Sequence, residues 1–204
     1  MDNTCRVYGP NLYSRALLDT DVEHVKRILY DWEDWPLTDE KAESLTKSWV
    51  RRAKFWQAPF FEGMPRQEYT FLFCLKSNDL PVCLDRSAQY GTTAEHLLLA
   101  TCPDHRLKGY SQEVSILTEI CAWDIHGMTK STVKQGVGRK TIGAKNPRFS
   151  KEGTISRSSN RYMQNDYLET VLTLEEWTAF KNSSLYSEWL IDYTFYPTYP
   201  GDPL

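Results

Sequence analysis

Residues 97–111, Leu-Leu-Leu-Ala-Thr-Cys-Pro-Asp-His-Arg-Leu-Lys-Gly-Tyr-Ser, lead an apolar run through a proline turn and a basic, glycine-bearing loop into a helix start. That order of residue types suits the binding of a phosphate ester. A loop feeding a helix can aim successive backbone N–H groups outward, and the helix dipole favours an anion at that end. Arg106 and Lys108 add positive charge, and Gly109 lets a ligand approach the main chain closely. Upstream, Glu95 and His96 open the strand and are its candidate proton acceptors.

The elements on either side have to hold this loop in place. Residues 12–18 read as an extended run, and Asp19-Thr20-Asp21 as a helix start. Val22, Val25, Leu29 and Trp32 then follow at three- and four-residue steps up to Pro36. Thr38 is the next N-cap, with Asp39 and Glu40 in the first turn and Ala42, Leu45, Trp49, Ala53 and Trp56 as an apolar stripe. A Pro/Gly loop spans 59–65. Residues 69–76 and about 82–87, joined by Ser77-Asn78-Asp79, predict a β-hairpin, and 95–101 a further strand. The helix after the loop is expected from about 111 to 126, with Val114, Leu117, Ile120 and Cys121 on one side and Gly127 ending it. Residues 130–161 hold nine Lys or Arg and one acid, Glu152. Alternation then returns at 167–172, and Thr173 caps a short helix to Phe180. This order describes a mixed α/β chain of the α+β type.

Arg106, Gly109 and Ser111 stand at the three marked positions of Q/R-x-x-G-x-G/A. The segment thereby resembles motif A of the GNAT superfamily, whose pyrophosphate loop has that pattern. Pro103-Asp104-His105 is similar to what precedes it there, whereas Ser111 departs from the small Gly or Ala at the last position. The order of elements over residues 12–127 also resembles that fold. The resemblance implies a central mixed sheet flanked by helices, with acetyl-CoA bound by Arg106, Leu107, Lys108, Gly109, Tyr110 and Ser111. It further implies a backbone donor to the thioester oxygen between Leu99 and Thr101, an amine as acyl acceptor, and a tyrosine, Tyr162 or Tyr167, as acid for the departing thiolate. A family member carries an apolar strand soon after the motif A helix. Here residues 128–138 are polar and glycine-broken, so a strand there is expected to be weak or displaced.

A 204-residue chain with 41% hydrophobic and 25% charged residues bounds the remaining choices. It is long enough for one cored domain, read as residues 1–190 with an irregular basic insertion at 128–165 and an aromatic, Pro-rich tail at 191–204. A net charge of −3 points to neither nucleic acid nor membrane in bulk. The apolar runs of four or five residues are far short of the roughly 20 that span a bilayer. The acidic, polar N-terminus does not read as a secretion signal, so a cytoplasmic location is expected. Five cysteines lack C-x-x-C or zinc-like spacing and are expected reduced, although Cys74 and Cys83 could face each other across the hairpin. Three functions follow. The first is acyl-CoA-dependent transfer to an amine. The second is an inactive GNAT-like fold serving an assembly, for example as a phage virion component, docked to a protein partner through its aromatic tail, unless that tail packs back on the domain. The third is nucleic-acid binding through residues 130–161.

Overall fold

The computed structural model describes residues 5–30, 37–55, 67–125, 127–136, 154–156, 167–187 and 193–195. Trp32, Trp56, Tyr162, the loop at 59–65 and most of the basic segment lie outside the described residues. Strands β1 (Cys5–Val7) and β2 (Leu12–Ala16) precede helices α1 (Val22–Ile28) and α2 (Asp39–Phe55). Next come β3 (Gln67–Leu75), β4 (Pro81–Tyr90), β5 (Thr93–Thr101) and helix α3 (Tyr110–Ile120). They are followed by β6 (Lys130–Gly136), β7 (Thr154–Ser156), β8 (Tyr167–Thr173), α4 (Leu174–Lys181), α5 (Ser184–Ser187) and β9 (Tyr193–Phe195). Seven strands form one sheet in the order β2-β3-β4-β5-β6-β8-β7, antiparallel except where β5 and β6 run parallel.

Two apolar clusters cover the two faces of this sheet. One joins Leu17, Val25, Ile28, Trp49 and Val50 around α1 and α2 to Leu72, Leu84 and Ala100 of the strands. The other joins Val114, Ile116, Leu117 and Ile120 of α3, with Trp177 and Phe180 of α4, to Tyr69, Phe71, Phe73 and Cys83. Strand residues therefore alternate between the two layers, as the pleat requires. Among the described residues no helix is long and apolar enough to cross a membrane.

Local signals account for the helix ends. Thr173 and Glu176 form a reciprocal capping box that starts α4. Helix α3 widens into a π turn, Cys121–Ile125, before Gly127 ends it at φ +61°. Its closing bonds, Gly127 N–H to Trp123 O at 3.1 Å and Met128 N–H to Ala122 O at 2.9 Å, each reach one residue further back than the usual 5→2 and 6→1 pair.

Sequence readings of the chain after Gly127 change here, while the expected reduced cysteines are found free. The polar stretch after Gly127 does contain a strand: β6 pairs with β5 on one side and along its whole length with β8 on the other. Two-sided backbone pairing replaces the apolar side chains that were expected, and Ser131 and Thr132 are buried as β-compatible small polar residues. The segment 128–165, read as irregular, thus holds β6 and β7. Tyr193–Phe195 of the aromatic tail pairs with Cys5–Val7 inside the chain. Cys74 lies opposite Pro81 and Cys83 opposite Phe73, so the hairpin register does not align the two thiols; both are free and buried, as are Cys102 and Cys121.

Candidate functional site

Strand β5 keeps two partners for only half its length. Its pairing with β6 runs from Thr93–Lys130 to His96–Val133 and stops, while β4 follows β5 to Thr101. The break coincides with a β-bulge. Arg86 pairs with Leu98 but Ser87 with His96, which leaves Leu97 as the extra residue. A bulge bends its strand and resets the alternation. Ala94 accordingly faces the α3 layer below Leu97 and Leu99 does so above it, whereas Leu98 and Ala100 pack with the α2 layer. Beyond the bulge β5 and β6 diverge and leave a wedge between them.

The edge of β5 along that wedge follows from its register. Cys102 N–H donates to Val82 O at 2.8 Å, which makes that pair hydrogen-bonded and, by alternation, Ala100–Leu84 and Leu98–Arg86 as well. The intervening residues, Leu99 and Thr101, turn their N–H and C=O groups away from β4 and toward the wedge. On that side Thr101 O accepts from Arg106 Nε at 3.2 Å. Part of the Arg106 side chain is thus spent on tying the loop to the strand end.

After a 3-10 turn at Pro103–His105 the chain enters the loop. Leu107 stands at φ +62° and is 97% exposed; Gly109, the N-cap of α3, stands at φ +82°. A left-handed leucine costs about 1–2 kcal/mol, a strain typical of sites where the backbone conformation itself is used. Arg106 N–H donates to Pro103 O, and the next amides with backbone partners are those of Gln112 and Glu113, both on Gly109 O. Among the described residues no backbone carbonyl accepts a well-formed hydrogen bond from the five amides of 107–111. They lie at the N-terminus of an eleven-residue helix, beside Lys108. A Cβ on Gly109 would meet nothing within 4 Å, so the surface above it is open. Ser111 and Tyr110 are half-buried in the first turn, and the Tyr110 ring lies 6.3 Å from that of His105. Burial, and then Lys108, hold the His105 imidazole below its ordinary range, so at neutral pH it adds no charge.

Glu113 anchors this helix end. Its carboxylate is 2% exposed and accepts from Asn11 N–H and Leu12 N–H at 2.8 Å each and from Asn11 Nδ2 at 2.9 Å. Gly9 passes so close that a Cβ there would lie 2.3 Å from Glu113 Oε1. The β1–β2 turn is thereby hooked onto the first turn of α3. Composition gave no hint of this residue, because its partners lie about one hundred positions away.

The two candidate proton acceptors part company. Glu95, paired with Ala88, is half-buried and by alternation faces the α2 layer, where Glu68 bridges Arg52 (2.8 Å) and Arg86, and Arg86 lies 5.4 Å over the Trp49 ring. His96 faces the α3 layer and is buried beside Asp85, Ser87 and Glu119. Tyr162 lies outside the described residues. Tyr167 begins β8 opposite Gly136, at the end of β6 furthest from its pairing with β5. No group of His, Cys, Asp and Glu among the described residues could hold a metal ion.

The fold recurs in solved structures of low sequence identity. An acetyltransferase of the GNAT family from Bacillus anthracis superposes with a TM-score of 0.62 at 14% identity, over 83% of this chain and 99% of its own. A GCN5-related N-acetyltransferase from Brucella melitensis gives 0.63 at 14% identity, over 86% and 81%. FdhC, described as a nucleotide-linked sugar GNAT, gives 0.62 at 12% identity, over 86% and 94%. No family model and no curated protein matches the sequence.

Proposed function

We propose that this chain, which carries the GNAT fold, transfers an acyl group from an acyl-CoA, acetyl-CoA in the first instance, to an amine. The observation that carries the reading is the end of β5–β6 pairing at the Leu97 bulge, on the strand that leads into the amides of 107–111. An elongated ligand with a phosphate at one end and amide groups along its length matches both parts. The loop amides and Lys108 would take the pyrophosphate, and the in-line N–H and C=O groups of Leu99 and Thr101 would take the amides of the pantetheine arm. Ser111 would donate its hydroxyl to a phosphate oxygen. The cofactor supplies the acyl thioester.

The remaining roles belong to the chain. The reacting end falls near the bulge, where backbone N–H groups freed from β6 would stabilise charge on the thioester oxygen. Glu95, at the foot of the wedge on the α2 face, is our choice for removing a proton from the incoming amine, directly or through a water. The Arg52–Glu68–Arg86 cluster borders the same face. Tyr167 is the candidate acid.

Calorimetry with acetyl-CoA tests the reading. Saturable binding is expected. Gly109→Glu, which puts a carboxylate at the phosphate end, should weaken it at least on the order of 100-fold, the few kcal/mol that like charges can cost. Absence of heat and of any thermal shift at millimolar cofactor would overturn it. Given binding, Glu95→Gln should lower kcat by about 100-fold or more with little change in cofactor affinity.

A further inference from the structure

Beneath the foot of the wedge, on the face away from Glu95, four elements share one buried polar cluster. Strand β4 contributes Asp85 and Ser87, β5 contributes His96, α3 contributes Glu119, and β6 contributes Ser131. Trp123, in the π turn, completes it. Asp85 is 1% exposed, Glu119 0% and His96 6%. Two carboxylates and an imidazole this deep are costly unless their protons and charges match.

Hydrogen positions follow from donor and acceptor inventories. Ser87 has one hydroxyl hydrogen, and the shorter contact, 2.7 Å to Asp85 Oδ2, takes it. The Ser87 oxygen, 3.3 Å from His96 Nδ1, is then an acceptor, so Nδ1 carries hydrogen. On the other edge of the ring Nε2 lies 3.5 Å from Glu119 Oε1. Glu119 receives the indole N–H of Trp123 on Oε2 at 2.6 Å, a group that can only donate, and the Ser131 hydroxyl on Oε1 at 3.2 Å. A carboxylate surrounded by donors is best satisfied ionised. The proton between His96 and Glu119 therefore goes to the stronger base, the imidazole, and Asp85 Oδ1, 3.8 Å from Nδ1, reinforces that choice.

We propose that His96 is an imidazolium clamped between Asp85 and Glu119, and that it is the positioning residue that fixes where β6 leaves β5. The His96–Val133 pair is the last rung before the wedge, and the next residue, Leu97, is the bulge. Glu119 also holds Ser131 of β6. One charged cluster therefore ties β4, β5, β6 and α3 at the vertex. In chemical terms His96 does not touch substrate. It sets the separation of the two strands between which, on the reading above, the thioester lies. The titratable groups facing His96 include Asp85 from β4 and Glu119 from α3.

Nitrogen NMR of the ¹⁵N-labelled full chain tests the protonation directly and needs no substrate. The His96 ring, assigned through its backbone, is expected to show both nitrogens protonated and no titration between about pH 5 and 8, where an ordinary histidine titrates. Glu119→Gln should restore a titration within about one unit of 6.5. A ring with one protonated nitrogen at neutral pH in the native chain would overturn the assignment, and so would a Glu119→Gln ring that stays charged. For the positioning role, His96→Gln should lower kcat on the order of 100-fold, the cost of misplacing a reacting group by about 1 Å, while acetyl-CoA affinity, which the wedge shares with the phosphate loop, falls far less. An equal loss in both would overturn that role. Should the native chain fail to bind acetyl-CoA, the acyl-transfer reading fails while the NMR result still decides the clamp.

Discussion

Replacing Glu113 by alanine removes the hook that joins the β1–β2 turn to the first turn of α3. The lost carboxylate serves three N–H donors at 2.8, 2.8 and 2.9 Å and is almost wholly buried. A hydrogen bond to a charged group contributes about 1.5–3 kcal/mol, and donors left buried without a partner add a further penalty. Three donors sharing one acceptor group are not additive, so the expected loss is about 3–5 kcal/mol rather than the sum. At about 2–4 °C per kcal/mol for a chain of this size, Tm should fall on the order of 6–20 °C. Glu113→Gln keeps one oxygen for the two backbone donors, and Asn11 can turn its amide to receive the new NH₂. It should cost only about 1–2 kcal/mol. Gly9→Ala gives an independent handle, because its Cβ would crowd Glu113 Oε1. It should destabilise the native chain and do so much less once Glu113 is alanine. Equilibrium urea unfolding of the four species closes the cycle. A Glu113→Ala loss below about 1 kcal/mol, or strict additivity with Gly9→Ala, would refute the reasoning.

Burial and then Lys108 hold His105 below its ordinary value, so its folded pKa is the lower of the two states. Its contribution to stability is then present above the unfolded value of about 6.5 and is lost as pH falls through it; His105→Asn should flatten Tm against pH on the acid side. His24, lowered chiefly by burial, acts in the same direction, so the double replacement should flatten the profile further. Burial pushes the Cys83 thiol up to about 12 and raises that of Cys74, while Cys102 and Cys121 are buried too. A disulfide reagent at neutral pH should therefore modify at most one of the five thiols before unfolding, and all five after it. Deleting Leu97 removes the extra residue and leaves the other β4–β5 pairs in register, so 98–101 keep their facing and the strand loses only its local bend. A cooperative, native-like transition is expected by calorimetry, and loss of cooperative unfolding would contradict the assigned bulge.

Much of this architecture was legible because it is local. The apolar stripe of α2, the hairpin turn, the capping box at Thr173 and the glycines at 109 and 127 are each written within a few residues. The phosphate-loop reading rested on the same kind of signal, with Arg106, Gly109 and Ser111 at fixed spacing. Strand β6 was misread for the opposite reason. Its stability comes from backbone pairing on both edges, which leaves no mark on the side chains, so Lys130–Gly136 looked too polar to hold.

Residue types and spacing, then, determined where an anion-binding loop could form and which helices and strands surround it. Only the tertiary structure decided what that loop faces. Leu97 becomes a bulge because β4 and β5 pair in two different registers. Glu95 and His96 fall on opposite faces because strand side chains alternate, one toward the α2 layer and the other into a buried charge cluster. Glu113 becomes an anchor because the β1–β2 turn, a hundred residues away, comes to rest on it. Each of these depends on pairing between distant segments, and short-range periodicity carries no information about it.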